Sequence, residues 1–223
     1  MAEMLEMNRL PTEERRHAYY RTIAGEAARL QRLVETLLNF GKMEAGAALY
    51  HFVDIDAAAL ARTVVHDIEP QAQRAGIEIE MSGPDSGMSV HADESALAVA
   101  LRNLVDNAIK YSPGQSTVRV EWKKEDERVA ISVVDRGSGI PRKEHQAIFR
   151  KFVRGRAAAA GHVQGTGVGL SMAQEIVRAH RGEIRLDSEV GRGSTFTIVL
   201  PAGRNQESGI GSQGAADAPR PES

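Results

Sequence analysis

The chain has 223 residues, 42% of them hydrophobic, and its 30 acidic and 28 basic side chains leave a formal net charge of −2. That balance gives no global attraction to nucleic acid or an anionic membrane, and no apolar run approaches the ~20 residues of a membrane helix. The absence of cysteine excludes disulfides, thiolate metal sites and cysteine nucleophiles, and fits a reducing cytoplasm. The acidic start Met-Ala-Glu-Met-Leu-Glu lacks the pattern of a signal peptide. With aromatics at 4%, Ala, Val, Leu and Ile must fill most of the core.

Residues 1–9 resemble the last turns of a helix interrupted by Leu10-Pro11-Thr12. Thr12, Glu13 and Glu14 then begin a second helix, with acids in the first turn where the dipole favours them. It is expected to run to about Gly46. Tyr20, Ile23, Ala27, Leu30, Val34 and Leu37 recur at spacings of three and four, and Leu33, Leu38 and Phe40 widen that seam. So wide an apolar face suits a helical bundle.

After Gly46 the pattern changes to that of a mixed α+β domain. A short strand is expected over about Leu49 to Val53, then a helix over Asp56 to Ala75. Strands follow over Ile77 to Met81 and Met88 to His91, split by the Ser82-Gly83-Pro84-Asp85 turn. Asp93 caps a periodic helix through Leu97, Leu101, Leu104, Val105 and Ile109, stopped by Ser112-Pro113-Gly114. Val118 to Trp122 and Val129 to Val134 alternate as a hairpin across charged Lys123 to Arg128. An irregular Gly- and Ala-rich stretch spans Gly137 to Gly167. A last helix, Val168 to His180, precedes strands Glu183 to Ser188 and Thr195 to Leu200. From Ala202 onward Gly, Ser, Gln, Pro and Glu dominate, as in a disordered tail.

Four clusters in this second domain carry chemistry. Asn103, Asn107, Lys110 and Tyr111 share one helical side, where amide oxygens suit a hard Mg²⁺ and an ammonium suits phosphate; a plain solvent face is the alternative. Asp135-Arg-Gly137-Ser-Gly139-Ile140 ends an apolar strand. Its carboxylate can accept from an exocyclic amine and its glycines allow close approach to a flat ring, although such a sequence also makes an ordinary turn. Phe149-Arg-Lys-Phe152-Val-Arg154 pairs two aromatics with three cations, able to anchor a mobile segment or simply to pack locally. Gly165-Thr166-Gly167-Val168-Gly169-Leu170 opens a helix and offers backbone N–H groups to an anion. It fits neither a Rossmann turn, its third glycine coming one position early, nor a Walker A loop, since no Gly-Lys precedes Ser or Thr.

In order and spacing, these clusters resemble the N box, the first glycine box, the F box and the second glycine box of the histidine-kinase ATP-binding domain, of the GHKL superfamily. The helix Arg29 to Gly46 is similar to the second helix of the family's dimerisation and phosphotransfer hairpin, and Gly182 to Pro201 to its C-terminal strands. The resemblance implies an α+β chain: a helical-hairpin remnant over residues 1–48, a two-layer GHKL (Bergerat) sandwich with a mixed sheet over 49–201, and a tail over 202–223. It implies a protein histidine kinase that binds ATP and Mg²⁺ and passes the γ-phosphate to a histidine on a hairpin helix. Asn107 would ligate Mg²⁺ with Asn103 in support, Lys110 would contact phosphate, and Tyr111 would line the adenine pocket. Asp135 would take the adenine amino group over a floor shaped by Gly137, Gly139 and Ile140. Phe149 and Phe152 would anchor the lid, with Arg154 near the γ-phosphate. Gly165, Thr166, Gly167, Val168 and Gly169 would wrap the phosphates, Leu170 packing behind, and Thr195 would help at the adenine end.

The family's acceptor motif, a His followed by an acid and then a Pro, is expected one long helix upstream of Leu10-Pro11. Only nine residues precede that bend and none is histidine, so the acceptor is expected before Met1. His66-Asp67-Ile68-Glu69-Pro70 mimics the motif with its Pro one position early and inside a helix of the second domain. His17, His51, His91, His145, His162 and His180 lack the context altogether. The implied partners are a response regulator receiver domain and a second copy joined through the N-terminal helix, with no nucleic acid. The implied location is cytoplasmic, with any membrane anchor expected in the full-length kinase outside this sequence. A non-catalytic nucleotide-binding module and another branch of the GHKL ATPases are the alternatives.

Overall fold

The computed structural model describes residues 50–153 and 167–203 continuously, together with scattered positions between 13 and 41, which are helical. The strands are β1 Val53–Asp56, β2 Ile77–Ser82, β3 Ser89–Ala92, β4 Ser116–Glu125, β5 Arg128–Asp135, β6 Glu183–Glu189 and β7 Gly193–Pro201. Between them lie helices α1 Ala57–Arg74, α2 Glu94–Tyr111 and α3 Gly169–Ala179, and two short 3-10 turns, Arg142–Glu144 and Ala147–Phe149.

Five strands form one mixed sheet in the order β2-β4-β5-β7-β6, with β2 and β4 parallel and the other pairs antiparallel. β1 and β3 make a separate antiparallel pair. Period-two alternation explains the layering. Val118, Val120 and Trp122 of β4, Val129, Ile131 and Val133 of β5, and Phe196, Ile198 and Leu200 of β7 are all buried on one face. The three helices cover that face, α2 contributing Leu97, Leu101, Leu104, Val105 and Ile109. The opposite face carries ion pairs, Lys123 with Glu125 at 2.9 Å and Arg185 with Glu125 and Glu183 at 3.0 and 2.8 Å. Mutually screened charges in water hold such a face weakly, so the fold rests on the helix side.

Both long helices start on aspartate caps. Asp56 accepts from the Ala58 N–H at 2.8 Å, and Asp93 Oδ1 accepts from the Ala96 N–H at 2.8 Å. Asp93 Oδ2 also accepts from the His51 N–H at 2.7 Å. Burial pushes the Asp93 carboxyl up, but these two bonds and the neighbouring His180 and His51 outweigh it and leave the pKa below its ordinary value. The buried His180, at the end of α3, accepts the Asp93 N–H on Nε2 at 2.9 Å and lies 2.7 Å from the Ile176 carbonyl through Nδ1. A carbonyl only accepts, so Nδ1 is the donor toward Ile176. Tyr50 and Phe52 pack on that ring, with centroids 5.3 and 4.9 Å away. One imidazole thus joins α2, α3 and the segment that enters the domain.

Several boundaries differ from the sequence expectation. The first strand is Val53–Asp56 instead of Leu49 to Val53, because its register is set by pairing with Ser89–Ala92. β4 extends to Glu125 and β5 begins at Arg128, so the charged residues between Trp122 and Val129 mostly continue the ladder. Two 3-10 turns stand within the stretch read as irregular. Among the described residues no helix is long and apolar enough to cross a membrane.

Candidate nucleotide site

Asp135 ends β5, whose alternation turns its side chain to the helix face of the sheet, where it is 7% exposed. Oδ1 accepts from the Gly137 N–H at 2.7 Å and from the Ser194 N–H at 3.2 Å. Burial pushes the carboxyl above its ordinary range, and these two bonds offset only part of that. With both bonds on Oδ1, Oδ2 remains a strong acceptor for an incoming donor. Gly139 adopts φ +67°, and a Cβ there would lie 2.0 Å from the Glu189 carbonyl oxygen, so only glycine fits. The Ile140 N–H donates to Ser188 Oγ at 2.8 Å, and the Gly191 N–H donates to the Ser138 carbonyl at 2.8 Å. The loop after β5 is thereby braced on the β6–β7 turn.

The α2 residues occupy the neighbouring wall. Asn103 is half-buried and its Nδ2 donates to the Val99 carbonyl at 3.0 Å. A Cβ on Gly169 would meet Asn103 Oδ1 at 2.8 Å, so the missing side chain lets α3 start against this amide. Asn107, one turn on, is half-buried and has no side-chain hydrogen bond among the described residues. Tyr111 closes the helix over the glycine loop, for a Cβ on Gly137 would lie 2.5 Å from its carbonyl oxygen. Lys110, instead of turning toward Asn107, pairs with Asp106, which also accepts from Gln71 Nε2 of α1 at 2.6 Å. Sequence spacing did not anticipate that partner, because the competing carboxylate is itself held by another helix.

α3 begins with no side-chain cap, behind a buried Val168, and Leu170 packs on the core. A helix start without a side-chain cap among the described residues suits an anion. Gly167 accepts the Phe152 N–H on its carbonyl at 2.9 Å. Phe149 stacks edge-on against Phe196, centroids 6.4 Å apart, and with His145, Arg150, Gln174 and Arg178 lines a cavity of about 340 Å³. Phe152 is 68% exposed and sits at φ +61°. Arg154, His162, Gly165 and Thr166 lie outside the described residues.

One sequence reading shifts in emphasis, and another keeps its place. Thr195 stands on the outer face of β7, between Ser194 and Phe196 that point inward, so Ser194 is the hydroxyl beside Asp135. The signal was present in the sequence, since Phe196, Ile198 and Leu200 fix the parity of the strand. His66 is exposed on α1, 3.9 Å from Glu69.

A buried carboxylate at the end of β5, two half-buried amides on α2 and an α3 start without a side-chain cap among the described residues are thus held on neighbouring elements. Residues 92–204 match the family model "Histidine kinase-, DNA gyrase B-, and HSP90-like ATPase", and the chain belongs to that family. Among relatives, it is 34% identical to the sensor-like histidine kinase SenX3 of Mycobacterium bovis, over 79% of this chain and 43% of that protein. It is likewise 34% identical to the sensor histidine kinase WalK of Bacillus subtilis, over 82% of this chain and 30% of that one. The crystal structure of full-length ShkA in complex with AMPPNP is similar with a TM-score of 0.73 and 28% identity, covering 85% of this chain and 39% of ShkA. The chain thus spans less than half the length of these proteins. The ATP-binding fold and family are those expected from the clusters in the sequence.

Proposed function

We propose that the chain binds Mg–ATP and acts as the catalytic part of a sensor histidine kinase, passing the γ-phosphate to a histidine presented by a helical hairpin. The observation that carries this reading is the Asp135 carboxylate, buried at the sheet end with one oxygen tied to backbone and the other left as an acceptor. Such a group suits the amino edge of adenine. At the far end, the N–H groups opening α3 would hold phosphate oxygens, and Lys110 would reach them by leaving Asp106. Asn107, with Asn103 behind it, supplies the hard amide oxygens that Mg²⁺ prefers, and the absence of another side-chain partner among the described residues fits that use. When bound, Mg²⁺ would neutralise charge on the phosphates. The protein's part is then positioning: the base is held by Asp135, the phosphates by backbone, and the terminal phosphate is left to face an attacking imidazole. A receiver domain and a second copy are the partners this reading implies, the latter through the N-terminal helix, whose Tyr20 and Ile23 are 54% and 40% exposed.

Calorimetric titration with Mg–ATP tests the reading. The parent is expected to bind, and Asp135→Asn to weaken binding by about 10- to 100-fold, as for loss of a charged hydrogen bond. Asn107→Ala is expected to remove the Mg²⁺ dependence. Transfer of labelled phosphate to a supplied histidine hairpin then separates a kinase from a non-catalytic nucleotide-binding module.

A further inference from the structure

Ser188, near the end of β6, sits where three polar groups meet. Its Oγ accepts the Ile140 N–H at 2.8 Å, lies 2.9 Å from the Gly193 carbonyl and lies 2.9 Å from Ser194 Oγ. A hydroxyl has one proton, and a carbonyl can only accept. The Ser188 proton therefore goes to Gly193, and the proton between the two serines belongs to Ser194. Ser194 is 7% exposed and its hydroxyl is spent on Ser188, so toward the pocket it offers only lone pairs. Its own N–H holds Asp135 Oδ1, and the two residues are paired across β5 and β7.

We propose that Ser188 is a positioning residue that sets the base specificity of the site, by forcing Ser194 to act as an acceptor beside the Asp135 carboxylate. This rests on the reading of the Asp135 end as the base pocket. Two acceptors side by side match a 6-aminopurine, which donates there, and reject a 6-oxopurine, whose oxygen would face them. In Ser188→Ala the Ser194 hydroxyl is free to turn and donate to that oxygen. Ser188 does not touch the nucleotide; it acts through Ser194 and through the Ile140 N–H.

The experiment is titration of parent, Ser188→Ala, Ser188→Thr and Ser194→Ala with Mg–ATP and Mg–ITP, reading the ratio of the two affinities. The ratio is expected to favour ATP in the parent, to fall by about tenfold in Ser188→Ala, and to return in Ser188→Thr, which keeps the hydroxyl. Ser194→Ala should lower it as well, and adding Ser188→Ala to that variant should change it no further. A brace with no part in specificity would weaken ATP and ITP alike, and that result overturns the proposal. Equal binding of ATP and ITP by the parent overturns it too while leaving the nucleotide reading intact, whereas a parent that binds neither overturns both. If Ser188→Ala does not fold, Ser194→Ala decides: an unchanged ratio there overturns the proposal.

Discussion

The loop from Asp135 to Ile140 and the segment from Phe149 to Phe152 both carry motif residues, but the fold holds them in opposite ways. The first is tied at Gly137, Ser138 and Ile140 to a buried carboxylate, to the β6–β7 turn and to Ser188. The second has Phe149 packed on the core, then passes within three residues to a Phe152 that is 68% exposed and joined to the next described segment by one hydrogen bond, to Gly167. The difference matches what the proposed nucleotide reading would ask of each end. Recognition of a flat base needs acceptors fixed in direction before the ligand arrives, since reorganisation is subtracted from affinity. An edge that follows a nucleotide in and out must open locally at little cost, and few buried contacts make that possible.

The contrast can be broken most severely at Gly139. An alanine there meets the Glu189 carbonyl oxygen at 2.0 Å and must hold a left-handed backbone. The expected loss is about 3–4 kcal/mol, from about 1–2 for the backbone and the remainder for displacing the turn. Denaturant unfolding of Gly139→Ala measures it; a loss under about 1 kcal/mol would mean that the turn yields and the brace is weak.

A smaller effect, of opposite sign, is expected at Asp135. Its folded pKa is raised, so the folded chain binds this proton more tightly than the unfolded one. The contribution to stability is thus greatest below the ordinary carboxylate pKa of about 3.9, falls as the pH rises through the raised value, and leaves the cost of a buried charge above it. Asp135→Asn keeps an oxygen for the Gly137 and Ser194 N–H groups and carries no charge. It is expected to melt above the parent at neutral pH, with the gap closing toward pH 3, while losing nucleotide. Thermal melts from pH 3 to 8 follow the sign, and a variant less stable than the parent at pH 7 would place the carboxylate among the stabilising groups.

The least effect belongs to the Phe152 edge. Phe152→Gly removes an exposed ring and relieves a φ of +61°, two changes that together are expected to move stability by under about 1 kcal/mol in either direction. A large loss in the same unfolding assay would show that this edge is as firmly held as the loop, and the contrast would fail.

Much of the domain was legible because local rules act within one element. Asp93 capped its helix and Ser112-Pro113-Gly114 ended it as composition required. The alternation in β5 and β7 gave the buried face, and the glycines around Asp135 marked the place where backbone comes close. Where the structure adds to that reading, the deciding contact came from elsewhere in the chain. β1 took its register from β3, not from its own weakly alternating residues. Lys110 shares the helical side of Asn107, yet its ammonium follows Asp106, itself gripped by Gln71 of another helix. Ser188 stands outside all four motif clusters. Its place beneath Ile140 appears only when the β6–β7 turn folds back, a separation of 48 residues in the chain.

By itself, then, the sequence determined the periodicities, the caps, the glycines and the order of the four clusters, and through them the family and the outline of the proposed nucleotide site. Each of those is local, written within a turn of helix or a few residues of strand. The tertiary structure alone decided which hydroxyl stands beside Asp135, which groups surround it and where Lys110 rests. Those are properties of groups brought together from distant strands and helices, and a hydrogen bond has a direction only once both of its partners are in place.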